Sequence, residues 1–143
     1  MSTKQFSTFL VADKMYGIEV MSVQEITRMM NVTKVPLAPN FVYGLINLRG
    51  QIATAVGLRE LFELTDKNSI NEYMNVVCKS EGILLSLIVD QIGDVIEVND
   101  SDFSPTPEIV HPGVGRFMHG VYKIPGTLLS IIEVKKIVDI INK

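Results

Sequence analysis

A 21-residue segment occurs twice in this chain, and the repeat limits the folds that the chain can adopt. Residues 44–64 (GLINLRGQIATAVGLRELFEL) align without a gap with residues 120–140 (GVYKIPGTLLSIIEVKKIVDI), and both glycines and nearly every apolar position are kept. A weaker similarity in apolar and acidic spacing relates residues 20–26 to residues 89–95. The repeat therefore predicts two similar modules that arose by duplication.

Short strands separated by tight turns account for most of the predicted secondary structure. Turns such as Asp13-Lys14 and Pro125-Gly126 separate apolar runs by the short spacing of a β-hairpin. Apolar residues at helical spacing follow each repeated hairpin, at 59–64 and 134–141. The predicted strands cover residues 5–12, 15–21, 45–48, 51–56, 75–79, 83–98, 115–124 and 127–132. This pattern predicts an all-β fold of barrels or a sandwich, in which each helix seals one end of a barrel.

The boundary between the two modules is predicted near Asn71 or Glu72, after a polar loop over residues 65–71. The pseudo-repeat halves then cover approximately residues 1–72 and 73–143 of a single domain. Residues 83–89 are apolar on both faces except at Ser86, which predicts a strand buried between the modules. Because a duplicated barrel can exchange a strand with its twin, the boundary in sequence need not be a boundary in space.

The composition is that of an ordinary cytoplasmic domain. Apolar residues make up 47% of the chain, charged residues make up 20%, and the net charge is −3. No apolar run is long enough to cross a bilayer, and the first residues lack the apolar stretch of a signal peptide. The single cysteine cannot form an internal disulfide. Since no basic cluster is larger than Lys135-Lys136, we expect no nucleic acid partner, and the short apolar runs predict no direct membrane insertion.

The residue types that carry enzyme and metal chemistry do not converge in this sequence. His111 and His119 have a spacing that fits no standard zinc motif. Nothing brings a base to Cys78, whose apolar neighbours predict a buried, inert thiol. Residues 100–102 resemble the start of a calcium loop, but Pro105 stands where that loop requires glycine. We therefore expect no catalytic site, no metal and no cofactor.

Several spaced motifs resemble one protein family. They are Tyr16-Gly17-Ile18, Val23-Gln24-Glu25-Ile26, Val35-Pro36 and Gly44-Leu45-Ile46-Asn47-Leu48-Arg49-Gly50. The segment LIVDQIGDV over 87–95 and the closing strand and helix over 128–141 follow in the same order. In these motifs the chain closely resembles the CheW family of bacterial chemotaxis coupling proteins, and the resemblance covers nearly the whole chain.

The resemblance implies two SH3-like five-stranded β-barrels packed around a shared hydrophobic core. It also implies a non-enzymatic, cytoplasmic adaptor that joins the cytoplasmic tip of chemoreceptors to the regulatory domain of the histidine kinase CheA. Such a protein is expected to be a monomer in isolation and to assemble with its partners in receptor arrays. A second hypothesis is a double-barrel protein that binds a ligand or peptide between its modules, without a kinase partner.

Arg49 stands at the turn where the second copy of the repeat has Pro125. The resemblance implies an ion pair between Arg49 and Glu25 at the junction of the modules, held by two hydrogen bonds. The alternative is a capping box, because Ser22 and Glu25 have the S-x-x-E spacing, with Arg49 as a solvated turn residue. If the pair is buried, removing either partner should cost about 3–5 kcal/mol.

The resemblance implies two surfaces for partners. An apolar groove between the modules would take one face of the receptor's helical hairpin. It would be lined by Val23, Ile26, Leu48, Val89, Ile92 and Val95. The end of the first barrel would face the kinase through Pro36, Phe41, Val42 and Gly44. The alternatives are ordinary core positions for the first set and a loop with an inward Phe41 for the second.

The chain departs from the family pattern at three positions. The family usually has proline and aspartate where this chain has Thr54 and Gly57, and glycine where it has Ser86. We expect the fold to be kept, and the strand geometry near the first helix to be the feature that these departures affect.

Overall fold

The computed structural model describes residues 2–28, 30–64, 73–108 and 110–141. Within these residues, strands dominate and the helices are short, so the predicted all-β class is confirmed. The strands are β1 (Thr3–Val11), β2 (Lys14–Glu19), β3 (Val23–Arg28), β4 (Val42–Leu48), β5 (Gln51–Gly57), β6 (Met74–Ser80), β7 (Ile83–Val89), β8 (Gln91–Asn99), β9 (Phe103–Ser104), β10 (Met118–Ile124) and β11 (Thr127–Ile132). The helices are α1 (Leu58–Leu61), α2 (Pro112–Gly115) and α3 (Val134–Ile141).

The strands form two sheets. The six-stranded sheet has the order β8-β1-β2-β11-β10-β9, and the five-stranded sheet has the order β3-β6-β7-β5-β4. Five strands were expected in each sheet, and the six-stranded sheet exceeds this number by the two-residue strand β9. Neighbouring strands are antiparallel except at β2 with β11 and β5 with β7, which are parallel. Each sheet therefore combines strands from the beginning of the chain with strands that follow residue 73. The predicted boundary at Asn71 or Glu72 and the loop over 65–71 lie outside the described residues.

Three apolar clusters hold the sheets together. The largest, here called the shared core, takes buried side chains from both sheets and from all three described helices. Its members are Phe9, Val11, Tyr16, Ile18, Val56, Leu58, Leu61, Phe62, Val76, Cys78, Leu85, Leu87, Val89, Val114, Phe117, Met118, Val121, Ile132, Val134, Ile137 and Val138. A second cluster, around Ile46 and Ala53, lies within the five-stranded sheet, and a third, around Phe6 and Tyr122, lies within the six-stranded sheet. This arrangement agrees with the expected shared hydrophobic core.

Helices α1 and α3 contribute buried side chains to the shared core, and the prediction that each seals one end of a barrel stays a prediction. Leu58 and Leu61 of α1 and Ile137 and Val138 of α3 are buried in the shared core. Each helix begins within two residues of the end of its strand. The apolar side of each helix is therefore covered by the shared core directly after its strand.

Strand β7 is buried on both faces, as its sequence predicted. Leu85 and Leu87 contribute to the shared core, whereas Ile88 contributes to the cluster within the five-stranded sheet. The neighbouring strand β5 keeps a regular register with β7 from Thr54, paired with Leu85, to Gly57. The pairing of β5 with β7 is therefore regular, whereas the pairing of β5 with β4 has a register shift between Val42 and Gly44, close to the first helix.

Strand β3 and helix α2 were not predicted. Residues 112–115, of which only Gly115 was predicted to lie in a strand, form a helical turn that starts at Pro112, a residue favoured at the first helical position. Among the described helices, none is long and apolar enough to cross a membrane.

Candidate functional site

Edge strand β3 contains a β-bulge that turns two apolar residues to the same face. Val23 pairs with Cys78 and Ile26 pairs with Val76 on the neighbouring strand β6. Cys78 and Val76 are two residues apart and therefore point to one face of the sheet. Since both belong to the shared core, Val23 and Ile26 lie on the face that carries this core.

Edge strand β8 of the other sheet repeats this arrangement. Ile92 pairs with Phe9 and Val95 pairs with Ser7 on β1, again with one extra residue in the edge strand. Phe9 belongs to the shared core, so Ile92 and Val95 also lie on the face that carries it. Ile92 and Val95 are the counterparts of Val23 and Ile26 in the weaker of the two sequence repeats.

The shared core therefore continues into exposed apolar residues on both edge strands. Val23 and Ile92 are partly buried and pack against the core. Ile26 and Val95, which we call the exposed rim, have 41% and 59% of their surface accessible. Exposed large apolar side chains at the edge of a core are common features of contact sites.

The remaining two residues of the expected groove differ in position. Val89 is fully buried in the shared core. Leu48 is buried in the cluster within the five-stranded sheet, away from the shared core. Leu48 therefore lies apart from the other five residues, because β4 alternates its side chains and turns Leu48 to the interior of its own sheet.

Arg49 and Glu25 form an ion pair in which the Arg49 guanidinium donates to the Glu25 carboxylate. Glu25 belongs to strand β3, so it caps no helix. Strands β3 and β4 are the two edges of the five-stranded sheet, and Arg49 directly follows β4. The pair thus links the two edges of one sheet, whereas the sequence led us to expect it at the junction of the modules.

The Arg49 side chain is 77% exposed, so the large cost expected for a buried pair does not apply. An exposed pair of this kind contributes about 0.2–1 kcal/mol. A tight turn presents the arginine: Arg49 and Gly50 have φ values of 51° and 88°, and the Asn47 side chain accepts a hydrogen bond from the Gly50 N–H at 2.9 Å. This is a two-residue hairpin turn with both central residues at positive φ, in which Arg49 stands at the position that asparagine usually takes.

The loop before β4 exposes a leucine in an unusual conformation. Leu37 is fully exposed and has a φ of 64°, which is rare for a bulky residue. Two backbone hydrogen bonds shape the loop, from the Ala38 N–H to the Val35 carbonyl at 3.3 Å and from the Val42 N–H to the Pro39 carbonyl at 3.0 Å. The loop projects Leu37 beside the half-exposed Val35.

The four residues expected to face the kinase divide into exposed and buried positions. Pro36 is exposed, Val42 is partly buried and Gly44 is buried. Phe41 is partly buried and packs against the shared core, and its carbonyl accepts a hydrogen bond from the Gly57 N–H at 2.8 Å. Of the two alternatives for Phe41, the structure therefore has the one in which its side chain packs inward.

Gly44 holds this loop against β4 because it lacks a side chain. Its φ is 148°, and a Cβ atom at this position would overlap the carbonyl oxygen of Thr33. Thr33 and Leu45 exchange two backbone hydrogen bonds, at 2.9 and 2.8 Å. The glycine thus permits the close approach of two backbones.

Leu37, Val35 and Leu45 are exposed apolar residues that the sequence analysis did not assign to a contact surface. Apolar type alone does not separate exposed from buried positions, and nothing around Leu37 indicates a positive φ. Neighbouring prolines are the one local signal, since they restrict a loop without fixing which side chain it exposes.

The two copies of the repeat use different residues for a similar polar contact. The Tyr43 hydroxyl donates to Glu60 Oε2 at 3.0 Å, and burial together with Glu60 raises the pKa of Tyr43. His119, the counterpart of Tyr43, places its Nδ1 2.8 Å from Glu133 Oε1. In the first copy, Gly57 leaves the space that the Glu60 carboxylate and the Tyr43 ring occupy.

Other groups that carry chemistry have structural partners. His111 Nδ1 accepts a hydrogen bond from the Gly113 N–H at 3.0 Å and so caps α2. Cys78 is buried as predicted, and burial raises the pKa of its thiol to about 12. Within the described residues, no group of three or more His, Cys, Asp or Glu side chains is placed to hold a metal ion.

A surface groove of about 710 Å³ lies on the six-stranded sheet near α2. Its apolar lining includes Leu10, Met15, Leu64, Val110 and Leu128. This volume is in the range of about 300–1,000 Å³ that small-molecule and peptide sites occupy.

Comparison with known proteins agrees with this architecture. The family model described as the CheW-like domain matches residues 5–142. The chain belongs to the CheW-like domain family. This CheW-like domain is 32% identical to the chemotaxis protein CheW of Treponema pallidum (strain Nichols), over 93% of the chain and 81% of that protein. It is 30% identical to the chemotaxis protein CheW of Bacillus subtilis (strain 168), over 92% of the chain and 84% of that protein.

A solved structure shares the fold of this CheW-like domain. The crystal structure of the scaffolding protein TtCheW from Thermoanaerobacter tengcongensis superposes with a TM-score of 0.83 at 26% sequence identity. The superposition covers 92% of this chain and 90% of TtCheW. The CheW-like domain described here is therefore similar over nearly its whole length to a protein named as a scaffold.

Proposed function

We propose that this CheW-like protein is a non-enzymatic chemotaxis adaptor that joins the cytoplasmic tip of chemoreceptors to the regulatory domain of the histidine kinase CheA. The observation that carries the proposal is the presence of exposed apolar residues in two places. Ile26 lies on edge strand β3, and Leu37 lies in the loop before the opposite edge strand β4. An adaptor requires two contact surfaces, and exposed apolar side chains supply contact area.

The receptor surface in this proposal is formed by two pairs of apolar residues on the edge strands. They are the partly buried Val23 and Ile92 and the exposed rim, Ile26 and Val95. These residues sit on the inner faces of two sheets and are partly or largely exposed. An amphipathic helical hairpin could lay one apolar stripe between two such strands, which is the helix-in-groove mode of recognition. Val89 supports the floor of this surface from the shared core.

The kinase surface in this proposal is the loop with Val35, Pro36 and Leu37, together with Leu45 on β4. Phe41, Val42 and Gly44 support it from within, through core packing and the close backbone contact at Thr33. The exposed pair of Glu25 and Arg49 joins edge strand β3 to the turn after β4, so it lies between the two proposed surfaces. A surface made by a proline-restricted loop loses little conformational entropy when a partner binds.

We also propose that the protein acts in the cytoplasm as one domain and is a monomer until it meets its partners. Both sheets contain strands from residues 1–72 and from residues 73–143. Neither half could keep its sheets without the other. The halves are therefore units of sequence duplication, while folding and binding require the whole chain.

Calorimetric titration tests this proposal. The wild-type protein is titrated with the regulatory domain of a CheA kinase and, separately, with a receptor-tip fragment that forms the helical hairpin. We expect saturable one-to-one binding to each partner, with dissociation constants near the micromolar range. A dissociation constant of about 1 μM corresponds to a binding free energy of about −8.2 kcal/mol. Arg49→Ala is the matched variant, because its exposed side chain can be removed without loss of folding.

The outcomes separate the two hypotheses. If Arg49→Ala stays folded and binds only one of the two partners, the ion pair belongs to the surface of the partner that is lost. If wild type binds neither partner, the adaptor proposal is wrong. The ligand-binding hypothesis then takes precedence, and the groove lined by Leu10, Val110 and Leu128 is the place to look for a peptide.

A further inference from the structure

The chain passes from one sheet to the other at two points within its described part. The first passage, from β2 to β3, uses the single 3-10 turn Val20–Ser22. The second, from β7 to β8, uses Asp90 alone. In the weaker sequence repeat, Met21 of the first passage is the counterpart of Asp90. The duplication has thus placed the two passages at equivalent positions.

The two passages have opposite environments. Met21 is 92% exposed, whereas the Asp90 side chain is only 7% exposed. Both Asp90 oxygens accept hydrogen bonds from Arg59, with distances of 2.9 Å from Nε to Oδ1 and 2.6 Å from Nη2 to Oδ2. The Arg59 side chain is 12% exposed, so this is a bidentate pair with little access to solvent.

The partners of Asp90 come from both sheets. Arg59 belongs to α1, which directly follows β5 of the five-stranded sheet. Ala12 lies in the turn between β1 and β2 of the six-stranded sheet, and its N–H donates to Asp90 Oδ2 at 2.7 Å. The Asp90 N–H donates to the Leu10 carbonyl of β1 at 3.0 Å. One residue is therefore hydrogen-bonded to the six-stranded sheet at Leu10 and to the helix that follows the five-stranded sheet, at the point where the chain passes between the sheets.

These bonds supply a directional constraint that the shared core does not. Burial of apolar surface favours contact between the sheets but is not directional. A bidentate guanidinium and carboxylate pair is restricted in both distance and plane. Ala12 also has a φ of 51°, so the turn that reaches Asp90 is itself a restricted conformation.

We propose that Asp90, together with Arg59, is a positioning residue that fixes the orientation of the two sheets relative to each other. The consequence for binding rests on the proposed function. Ile26 belongs to the five-stranded sheet and Val95 to the six-stranded sheet, so a partner that contacts both requires one relative orientation. A partner that contacts only the loop at Leu37 and strand β4 does not.

Distances between spin labels on the two sheets test the structural part of this proposal. Lys79→Cys on β6 and Lys123→Cys on β10 place nitroxides at exposed positions, while the native Cys78 is buried and protected from the label. We expect one narrow distance distribution for this labelled pair. Asp90→Asn, which removes the charge but keeps the shape, should broaden or shift the distribution. Met21→Gln, at the equivalent passage, is the control and should leave it narrow.

Arg59→Lys is the second variant, because it keeps the positive charge and loses only the bidentate geometry. Arg59→Lys should also broaden the distance distribution. If Asp90→Asn does not fold, the distribution measured for Arg59→Lys tests the positioning role. A distribution identical to wild type in a folded Asp90→Asn or Arg59→Lys protein would overturn the proposal.

Binding measurements test the functional part. Asp90→Asn should weaken binding to the receptor-tip fragment by about tenfold, because the partner must then select one orientation from a wider ensemble. Binding to the kinase regulatory domain should stay within about twofold. Equal loss for both partners would indicate a general structural defect and contradict the positioning role. If wild type binds neither partner, the adaptor proposal fails, while the label distances still decide the role of Asp90.

Discussion

Ile26 and Val95 occupy equivalent positions on edge strands of two different sheets, and each ends an apolar row that begins in the shared core. Ile26 follows Val23 across the bulge in β3, and Val95 follows Ile92 across the bulge in β8. The two edges are similar in sequence spacing and in bulge position, and they belong to different sheets. Neither side chain contributes to a buried cluster, so packing does not account for their apolar character, which favours a contact role.

Replacing either exposed rim residue with aspartate should weaken receptor binding without loss of stability. Ile26→Asp and Val95→Asp each put a charge into the proposed helix-binding groove, and we expect the dissociation constant for the receptor-tip fragment to rise by about tenfold or more. The free energy of unfolding, from urea titration, should change by less than about 0.5 kcal/mol, as is usual at exposed sites. Ile52→Asp, at an exposed position on β5, is the matched control. Unchanged receptor binding in both variants would exclude this surface.

Gly44→Ala should destabilise the protein strongly. The added methyl group would overlap the Thr33 carbonyl oxygen, and alanine is also strained at a φ of 148°. Overpacking and backbone strain together predict a loss of about 3 kcal/mol in the free energy of unfolding, measured with urea. Gly115→Ala is the control, because its Cβ would lie 3.8 Å from the nearest atom, Val110 Cγ1. A loss below about 1 kcal/mol for Gly44→Ala would show that the loop can move away from β4.

Much of the strand pattern could be predicted because each repeat has clear turn chemistry. The predicted strand over 127–132 and helix over 134–141 coincide with β11 and α3. Strand β3 was missed because its bulge breaks the alternation of buried and exposed residues that marks a strand. Because the strand was not recognised, the sequence allowed Glu25 to be either part of a capping box with Ser22 or the ion-pair partner of Arg49.

The candidate site was less accessible to sequence reasoning. Burial depends on which strands become neighbours, and the sheets combine distant parts of the chain. Leu48 and Val89 look alike in sequence but face different clusters. The buried pair of Arg59 and Asp90 joins residues that no motif relates, and its place between the sheets follows from the topology alone.

The protein should lose stability as the pH rises above about 9, and Cys78 should account for the first part of that loss. Burial raises the pKa of the Cys78 thiol from 9.0 to about 12. Between these values the unfolded chain releases a proton that the folded chain keeps, so unfolding becomes easier with increasing pH. One such group lowers the free energy of unfolding by about 1.4 kcal/mol per pH unit in this window.

Urea titrations at several pH values, with a reducing agent present, measure this slope. Cys78→Ala should lower the stability at pH 7 by about 1 kcal/mol because it leaves a small cavity, but should flatten the slope between pH 9 and 10. Above pH 10, Tyr16, Tyr43 and Tyr122 add losses of the same sign, since burial raises their pKa values too. The same slope in both proteins between pH 9 and 10 would assign the loss to other groups.

Leu37→Asn should stabilise the protein while weakening its binding to the kinase regulatory domain. Leucine at a φ of 64° carries about 1 kcal/mol of backbone strain that asparagine largely avoids, and the fully exposed side chain gives no packing in return. We therefore expect a gain of about 0.5–1 kcal/mol in urea unfolding. Leu37→Ala keeps the strain but removes most of the side chain, so it should bind the kinase domain as weakly as Leu37→Asn without the gain in stability. If Leu37→Asn is more stable and binds the kinase domain as tightly as wild type, the strained loop has no part in that contact, and the kinase surface must be sought elsewhere on the molecule.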